Sequence, residues 1–223
     1  MTAAIRKKAD DAGLRKGMKV LGISTSPREK SNSDILLRQA LAGASSTGAE
    51  AEYLRLCKLS ISPCTACGNC YATGECPIQD DFQMVLPKML EADRLIFATP
   101  IYFMSVCAQA KILIDRCQCL WARKYVIKQL LAQTTGRDRR AMVIAVGGTK
   151  GKKMFESVRL TMKFYLDALD ISYFANLFVS SVDEAGKIVD HAAAMEQAFW
   201  LGAELIIASR SVLENSIDVE LTG

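Results

Sequence analysis

Four cysteines within a thirteen-residue stretch constrain this chain more than any other feature of its sequence. They are Cys64, Cys67, Cys70 and Cys76, and Pro77 directly follows the last of them. The backbone between neighbouring cysteines is too short to carry the thiols far apart. The run therefore predicts that all four side chains converge on one centre, in a loop at residues 57–79.

The spacing of the four thiols indicates which centre they hold. Bacterial ferredoxins use C-x2-C-x2-C-x3-C-P, in which the fourth cysteine serves a second cluster. Here the last gap is longer, and no second cysteine run exists to receive that ligand. The spacing therefore favours one [4Fe–4S] cluster bound by all four thiolates. Gly68 and Gly74 lie where the backbone has to turn and approach inorganic sulfide closely.

Three other interpretations of the cysteine run stay open. Structural zinc also accepts four cysteines, although usually as two separated C-x2-C pairs. Disulfide bonds need an oxidising compartment, and nothing in the N-terminal sequence indicates export. Four unligated buried cysteines would leave the regular spacing and the terminal Cys76-Pro77 pair unexplained.

The length and composition suit one ordinary α/β domain, with 223 residues, half of them apolar and 23% charged. We expect a loosely ordered leader at 1–17 and a single domain at 18–223. The leader lacks the apolar core of a signal peptide, and no apolar run reaches the ~18 residues that span a bilayer. These features predict a cytoplasmic protein without membrane contact. The net charge of +4 is modest and the basic residues are scattered, so no nucleic-acid partner is expected.

Short apolar, β-branched segments alternate with segments of helical periodicity. This alternation predicts a doubly wound, five-stranded parallel sheet. The expected strands are 19–24, 50–56, 93–99, 140–147 and 172–179. The first expected helix begins near residue 33. The other four cover about 80–92, 106–122, 153–169 and 190–208.

The loop after the first strand is rich in hydroxyl groups and opens a helix. In an open α/β sheet, ligands bind beyond the carboxyl ends of the strands. Free N–H groups at a helix N-terminus, hydroxyl donors and a guanidinium together favour an anion, with Asn32 or Ser33 as the N-cap. An ordinary capped loop would have the same composition. The candidate ligands are Ser24, Ser26, Arg28, Ser31, Asn32 and Ser33.

Two further loops follow predicted strands and suit a flat ring. The first is aromatic and the second contains two glycines, through which backbone N–H groups can approach a ligand directly. Ordinary hydrophobic packing would also account for the aromatic side chains. The candidate residues are Thr99, Pro100, Ile101, Tyr102, Phe103, Gly147, Gly148 and Thr149.

Together, these three loops and the cysteine run resemble the iron–sulfur flavoproteins, within the NAD(P)H-dependent FMN reductase group of flavodoxin-like proteins. The resemblance covers about residues 19–183. It implies a flavodoxin-like fold, FMN bound by the three loops, and a [4Fe–4S] cluster bound by the cysteines. Thr25 and Met104 stand where members commonly carry glycine, and Met104 narrows the space above the flavin ring. The helix after the aromatic loop, ending in Ile114-Asp115-Arg116, also matches.

The resemblance implies an oxidoreductase, because such a cluster transfers single electrons whereas FMN accepts one or two. We predict transfer from a ferredoxin-like donor through the cluster to FMN and on to a quinone, oxygen, peroxide or a small organic oxidant. The resemblance also implies a homodimer or homotetramer. One alternative is an NAD(P)H-dependent FMN or quinone reductase with a structural cysteine segment. Another is a non-enzymatic electron carrier or redox sensor.

The remaining cysteines and the single histidine carry weaker signals. Cys57, Cys107, Cys117 and Cys119 are interpreted as small buried hydrophobic residues. His191 is predicted at the surface, at the start of the last helix. No side chain is identified as a general acid or base.

Overall fold

A computed structural model describes residues 17–129, 131, 136–151, 153–208 and 216–223. Residues 1–16 of the predicted leader lie outside these ranges. The division into a leader and a single domain stays a prediction.

Within the described residues the sheet has seven strands rather than the five predicted. Its main path runs β2-β1-β3-β5-β6-β7 with every neighbouring pair parallel, and β4 pairs antiparallel with β3. All five predicted strands are present. The strands are β1 (Lys19–Ser24), β2 (Glu50–Arg55), β3 (Arg94–Tyr102), β4 (Ser105–Val106), β5 (Arg140–Val146), β6 (Ser172–Ser180) and β7 (Ile217–Thr222).

The two strands that sequence analysis did not predict were missed for different reasons. β4 has only two residues and forms a tight hairpin where a helix start was expected. β7 is an edge strand in which burial alternates residue by residue. That period of two is the pattern of a half-buried strand, so its signal was present in the sequence.

Seven α-helices surround the sheet in the described residues. The predicted helix at 106–122 is divided, because Val106 belongs to β4 and Cys117 separates two short helices. A π-helical turn, Ala122–Val126, follows. Within the described residues, no helix has both the length and the apolar character needed to cross a bilayer. The helices are α1 (Asn32–Ser45), α2 (Asn69–Thr73), α3 (Phe82–Glu91), α4 (Ala108–Arg116), α5 (Gln118–Trp121), α6 (Glu156–Ala168) and α7 (Ala192–Ile207).

Two hydrophobic cores lie on opposite faces of the sheet. In β3, Leu95 and Phe97 belong to the core beneath α3 to α6, whereas Ile96 and Ala98 belong to the core beneath α1 and α7. Successive strand residues point to opposite faces, so helices on both sides bury every central strand. The predicted doubly wound architecture is confirmed.

Helices α1 and α7 pack so closely that two glycines are required between them. A Cβ at Gly43 would lie 2.0 Å from the carbonyl oxygen of Phe199, and one at Gly202 would lie 1.9 Å from that of Ala40. No side chain can occupy either place. This contact fixes α1 against the sheet and thereby fixes the loop at its N-terminus.

A buried arginine ties two helix ends to the amino end of the sheet. The Arg139 guanidinium donates to the carbonyl oxygens of Met89, Ala92 and Leu169, at 3.0 Å for Ala92 and 2.6 Å for Leu169. These carbonyls lie at the C-terminal ends of α3 and α6, where the helix dipole favours a cation. Burial lowers the pKa of Arg139 to about 10.

Candidate functional site

The carboxyl ends of β1, β3 and β5 bring the three predicted loops together around a narrow cleft of about 40 Å³. Ser24, Thr99, Phe103, Gly147 and Thr149 belong to these loops but do not line the cleft. The cleft is lined by Ser26, Arg28, Ser31, Asn32, Ser33, Pro100, Ile101, Tyr102, Val146, Gly148, Val182, Asp183 and Ala185.

Ser31 is the N-cap of α1, which makes the prediction of Asn32 or Ser33 wrong by one or two residues. Its Oγ accepts a hydrogen bond from the backbone N–H of Asp34 at 3.2 Å. The Asn32 side chain instead donates to the carbonyl oxygens of Val182 and Glu184, and it accepts from the N–H of Ile188. Asn32 therefore holds the segment after β6 against the cleft.

Several hydrogen-bond donors lie on the wall of the cleft beside the N-terminus of α1. The Ser33 Oγ is buried and has no hydrogen-bond partner, and such a group costs about 1–3 kcal/mol when left unsatisfied. The first N–H groups of α1 also have no partner within their helix. The Arg28 guanidinium lies beside them, with Nη1 donating to the Asp183 carbonyl at 3.1 Å. Free N–H groups, a hydroxyl and a guanidinium in one place are the combination that favours an anion.

The aromatic loop is a β-hairpin rather than an open loop. Phe103 and Met104 have φ values of 49° and 58° between β3 and β4. Two central residues with positive φ are typical of a tight hairpin turn and favour glycine. The backbone itself thus accounts for a preference for glycine at position 104. Tyr102 lines the cleft, whereas the Phe103 side chain is fully exposed.

The glycine loop packs against the segment after β6. A Cβ at Gly148 would lie 2.7 Å from Asp183 Oδ1, so glycine is needed for the close approach. The carbonyl of Gly147 accepts from the N–H of Val182, and that of Thr149 accepts from the N–H of Ser181. Sequence analysis missed Val182, Asp183 and Ala185. Their position at the carboxyl end of β6 was the available signal.

The four cysteines of the run line a second cavity, of about 420 Å³. Burial raises the pKa of the Cys70 thiol, and the nearby thiols of Cys64, Cys67 and Cys76 add to the increase. All four cysteines of the run thus face one cavity, and their binding of a common metal centre stays a prediction. The other lining residues are Thr65, Ala66, Gly68, Tyr71, Pro77, Ile78, Asp115, Arg116, Gln118 and Cys119.

Backbone turns bend the cysteine segment around this cavity. Gly68 and Gly74, at the two ends of α2, have φ values of 77° and 72°. Ala66 also has a positive φ, of 53°. The turns expected at the two glycines are thus present. Ala66 forms a further turn, in a backbone conformation that is strained for a residue with a side chain.

The thiols are not arranged around a ready-made site for one metal ion. In the part of the chain that the structure describes, no three His, Cys, Asp or Glu side chains are placed to hold a metal ion. The four thiols line the wall of one cavity of about 420 Å³.

Two aspartates and a buried arginine close the cysteine segment on itself. The carboxylates of Asp81 and Asp80 accept from the N–H groups of Ser60 and Ser62, at 2.7 and 2.9 Å. Arg116 Nη1 donates to Asp80 Oδ2 at 2.6 Å. Burial alone would raise the pKa of Asp80, but these hydrogen bonds lower it below its usual value. The role of Arg116 was missed, because its partners are distant in sequence.

A fifth cysteine, Cys119, contributes to the cavity wall. Burial raises the pKa of its thiol to about 11, and the neighbouring Cys76 adds to this. Cys107 and Cys117 are also buried, as predicted, whereas Cys57 is only partly buried. His191 is the N-cap of α7, and its Nδ1 accepts from the Ala194 N–H at 3.3 Å.

Residues 18–180 match the family of NADPH-dependent FMN reductases. The chain belongs to this family. An iron–sulfur flavoprotein of Methanosarcina thermophila is 29% identical over 172 residues, which cover 75% of this chain and 85% of the relative. One from Archaeoglobus fulgidus is 32% identical over 147 residues, 66% of this chain and 71% of the relative. The resemblance to iron–sulfur flavoproteins is confirmed.

Further relatives are similar to this chain over a shorter stretch of sequence or in fold alone. An iron–sulfur flavoprotein of Methanocaldococcus jannaschii is 46% identical over 99 residues, which span 44% of this chain and about half, 51%, of the relative. The solved NAD(P)H:quinone oxidoreductase from Methanothermobacter marburgensis has a TM-score of 0.67 at 20% identity, covering 85% of this chain and 97% of that one. This likeness shows the flavodoxin-like fold.

Proposed function

We propose that the protein is an FMN-dependent oxidoreductase that holds a [4Fe–4S] cluster on Cys64, Cys67, Cys70 and Cys76. The observation that carries the proposal is that all four cysteines line one wide cavity in a member of an FMN reductase family. When bound, the cluster exchanges single electrons and FMN exchanges one or two. The protein would therefore couple a one-electron donor to a two-electron acceptor.

The cleft supports an assignment of the FMN phosphate. We assign the phosphate to the N-terminus of α1, where the Ser33 hydroxyl and the first N–H groups offer donors and Arg28 offers a positive charge. We assign the ring to the surface beside Tyr102 and Gly148, because a cleft of about 40 Å³ is too small to enclose it. The remaining cofactor-binding candidates position these loops.

A ferredoxin-like protein is the proposed electron donor. Cys64 and Cys67 are exposed, so a partner can approach the cysteine segment directly, and the net charge of +4 suits an acidic partner. NAD(P)H is the alternative donor, and quinones are one acceptor class. Exposed Leu160 and Phe164, four residues apart on α6, support a homodimer or homotetramer.

The first experiment is a cofactor analysis of protein purified without oxygen. We expect about four irons, about four sulfides and about one FMN per chain, with visible absorption that dithionite bleaches. Ferredoxin should then reduce the protein faster than NAD(P)H does. FMN with zinc or without metal would contradict the cluster, and absence of FMN would contradict the oxidoreductase itself.

Replacing Ser33 by alanine is expected to weaken FMN binding while leaving the fold intact. A hydrogen bond to a charged group contributes about 1.5–3 kcal/mol, so the dissociation constant should rise roughly 10–100-fold. Fluorescence titration of flavin-free protein with FMN measures this change. Ser45→Ala, at the exposed far end of the same helix, is the control. Equal affinities in the two variants would contradict the phosphate assignment.

A further inference from the structure

One buried guanidinium joins α4 to both ends of the cysteine segment. Arg116 Nη1 donates to the Ser62 carbonyl at 2.9 Å, and Nη2 donates to the Ile78 carbonyl at 3.1 Å. Ser62 precedes the first cysteine of the run by two residues, and Ile78 follows the last by two. The Arg116 residue is 1% exposed. Its position is therefore fixed relative to the whole segment.

The same guanidinium has one N–H donor without an acceptor. Arg116 forms part of the cavity wall, and its Nε is buried without a hydrogen-bond partner. The Phe82 ring lies against the guanidinium, with Cζ 4.5 Å from the ring centre, which restricts its rotation. A buried N–H without an acceptor is costly. A sulfur-ligated group in the cavity would offer an acceptor.

Arg116 and Asp80 form a buried ion pair, and its positive member lies on the cavity wall. Arg116 belongs to the cavity wall, whereas its partner Asp80 does not. The acidic residue on the wall, Asp115, is about half exposed and paired with Lys111 at 2.7 Å. Solvent screens an exposed charge much more than a buried one. The buried cation should therefore dominate the potential felt inside the cavity.

We propose that Arg116 is a positioning residue whose buried positive charge sets the reduction potential of the group held by the four cysteines. This inference rests on the proposed function. Reduction adds negative charge to the group, and a fixed cation nearby stabilises the reduced form more than the oxidised form. Arg116 thus raises the reduction potential and also holds the two ends of the segment together.

The test is a dye-mediated redox titration of iron-loaded protein, followed by electron paramagnetic resonance. Arg116→Gln should lower the ratio of reduced to oxidised cluster at a fixed potential at least tenfold, which equals 59 mV for one electron. Arg116→Lys, which keeps the charge, should lie between Arg116→Gln and the wild type. Asp80→Asn removes the buried counter-charge and should raise the ratio several-fold.

A lower reduction potential in Arg116→Gln together with a higher one in Asp80→Asn supports the proposal, because a purely structural role would not produce shifts of opposite sign. The control Asp115→Asn should stay near the wild type, since that carboxylate is screened. Unchanged potentials, shifts of the same sign, or an equal shift in Asp80→Asn and Asp115→Asn would overturn the proposal. If Arg116→Gln binds no iron, a raised potential in Asp80→Asn supports the proposal and an unchanged one overturns it.

Failure of the proposed function has a different signature. Wild-type protein without iron would remove the cluster and the role of Arg116 together. Iron-loaded wild type with identical potentials in the variants would remove only the role of Arg116.

Discussion

Replacing Cys70 by alanine is expected to reduce bound iron from about four atoms per chain to nearly none. Cys70 lies on α2 within the cavity, between the turns at Gly68 and Gly74, so no other part of the run can take its place. A cube with one ligand missing exposes an iron to solvent and is readily lost. Iron and sulfide analysis after anaerobic purification measures the effect, and the broad visible absorption should disappear with the metal.

The matched control for this variant is Cys119→Ala. Its thiol also lines the cavity but lies on α5, outside the run, and its Sγ donates to the Arg116 carbonyl at 3.4 Å. We expect full iron content in this variant and unchanged FMN content in both. Loss of iron from Cys119→Ala with retention in Cys70→Ala would show that the ligands had been assigned wrongly.

Replacing Arg139 by methionine is expected to lower the free energy of unfolding by about 3–5 kcal/mol. The guanidinium donates hydrogen bonds to the carbonyl oxygens of Met89, Ala92 and Leu169. Methionine has a similar length but no hydrogen-bond donor. Each buried carbonyl would lose its hydrogen-bond partner, at a cost in stability of about 1–3 kcal/mol. For a chain of this size the melting temperature should fall by roughly 10 °C.

Urea unfolding at matched cofactor content tests this expectation, because bound cofactors stabilise the folded state by themselves. Lys111→Met is the control. Its Nζ pairs with Asp115 on the exposed surface of α4 at 2.7 Å, and exposed pairs of this spacing contribute about 0.3–0.5 kcal/mol. A loss from Arg139→Met no larger than that of the control would mean that water replaces the guanidinium at the helix ends.

Local patterns were sufficient to predict five of the seven strands, the layers and the approximate position of the cleft. Apolar segments such as β5 are buried on both faces and stand out in the sequence. Strand-end loops follow from them, because parallel strands end at the same edge. The turn at Phe103 and Met104 was missed, since neither residue type favours positive φ. Only the surrounding structure determines that conformation.

Long-range contacts account for the rest of what sequence reasoning missed. Arg116 is 36 residues from Asp80, and Cys119 lies 43 residues beyond Cys76, the last cysteine of the run. Nothing in the local sequence of α4 or α5 indicates that these helices form a wall of the cysteine cavity. The seventh strand is a different case. Its alternating pattern was visible, but an edge strand with one solvated face gives a weak hydrophobic signal.

The closure of the cysteine segment has a consequence for how such a chain can evolve. Ser60 and Asp81 are in direct contact through hydrogen bonds of 2.7 and 3.2 Å, so the twenty or so residues between them begin and end at nearly the same place. A short connection could join these two ends without displacing β1, β3 or the cleft. The cysteine segment is in this sense an exchangeable module, whose gain or loss would leave the three strand-end loops in place.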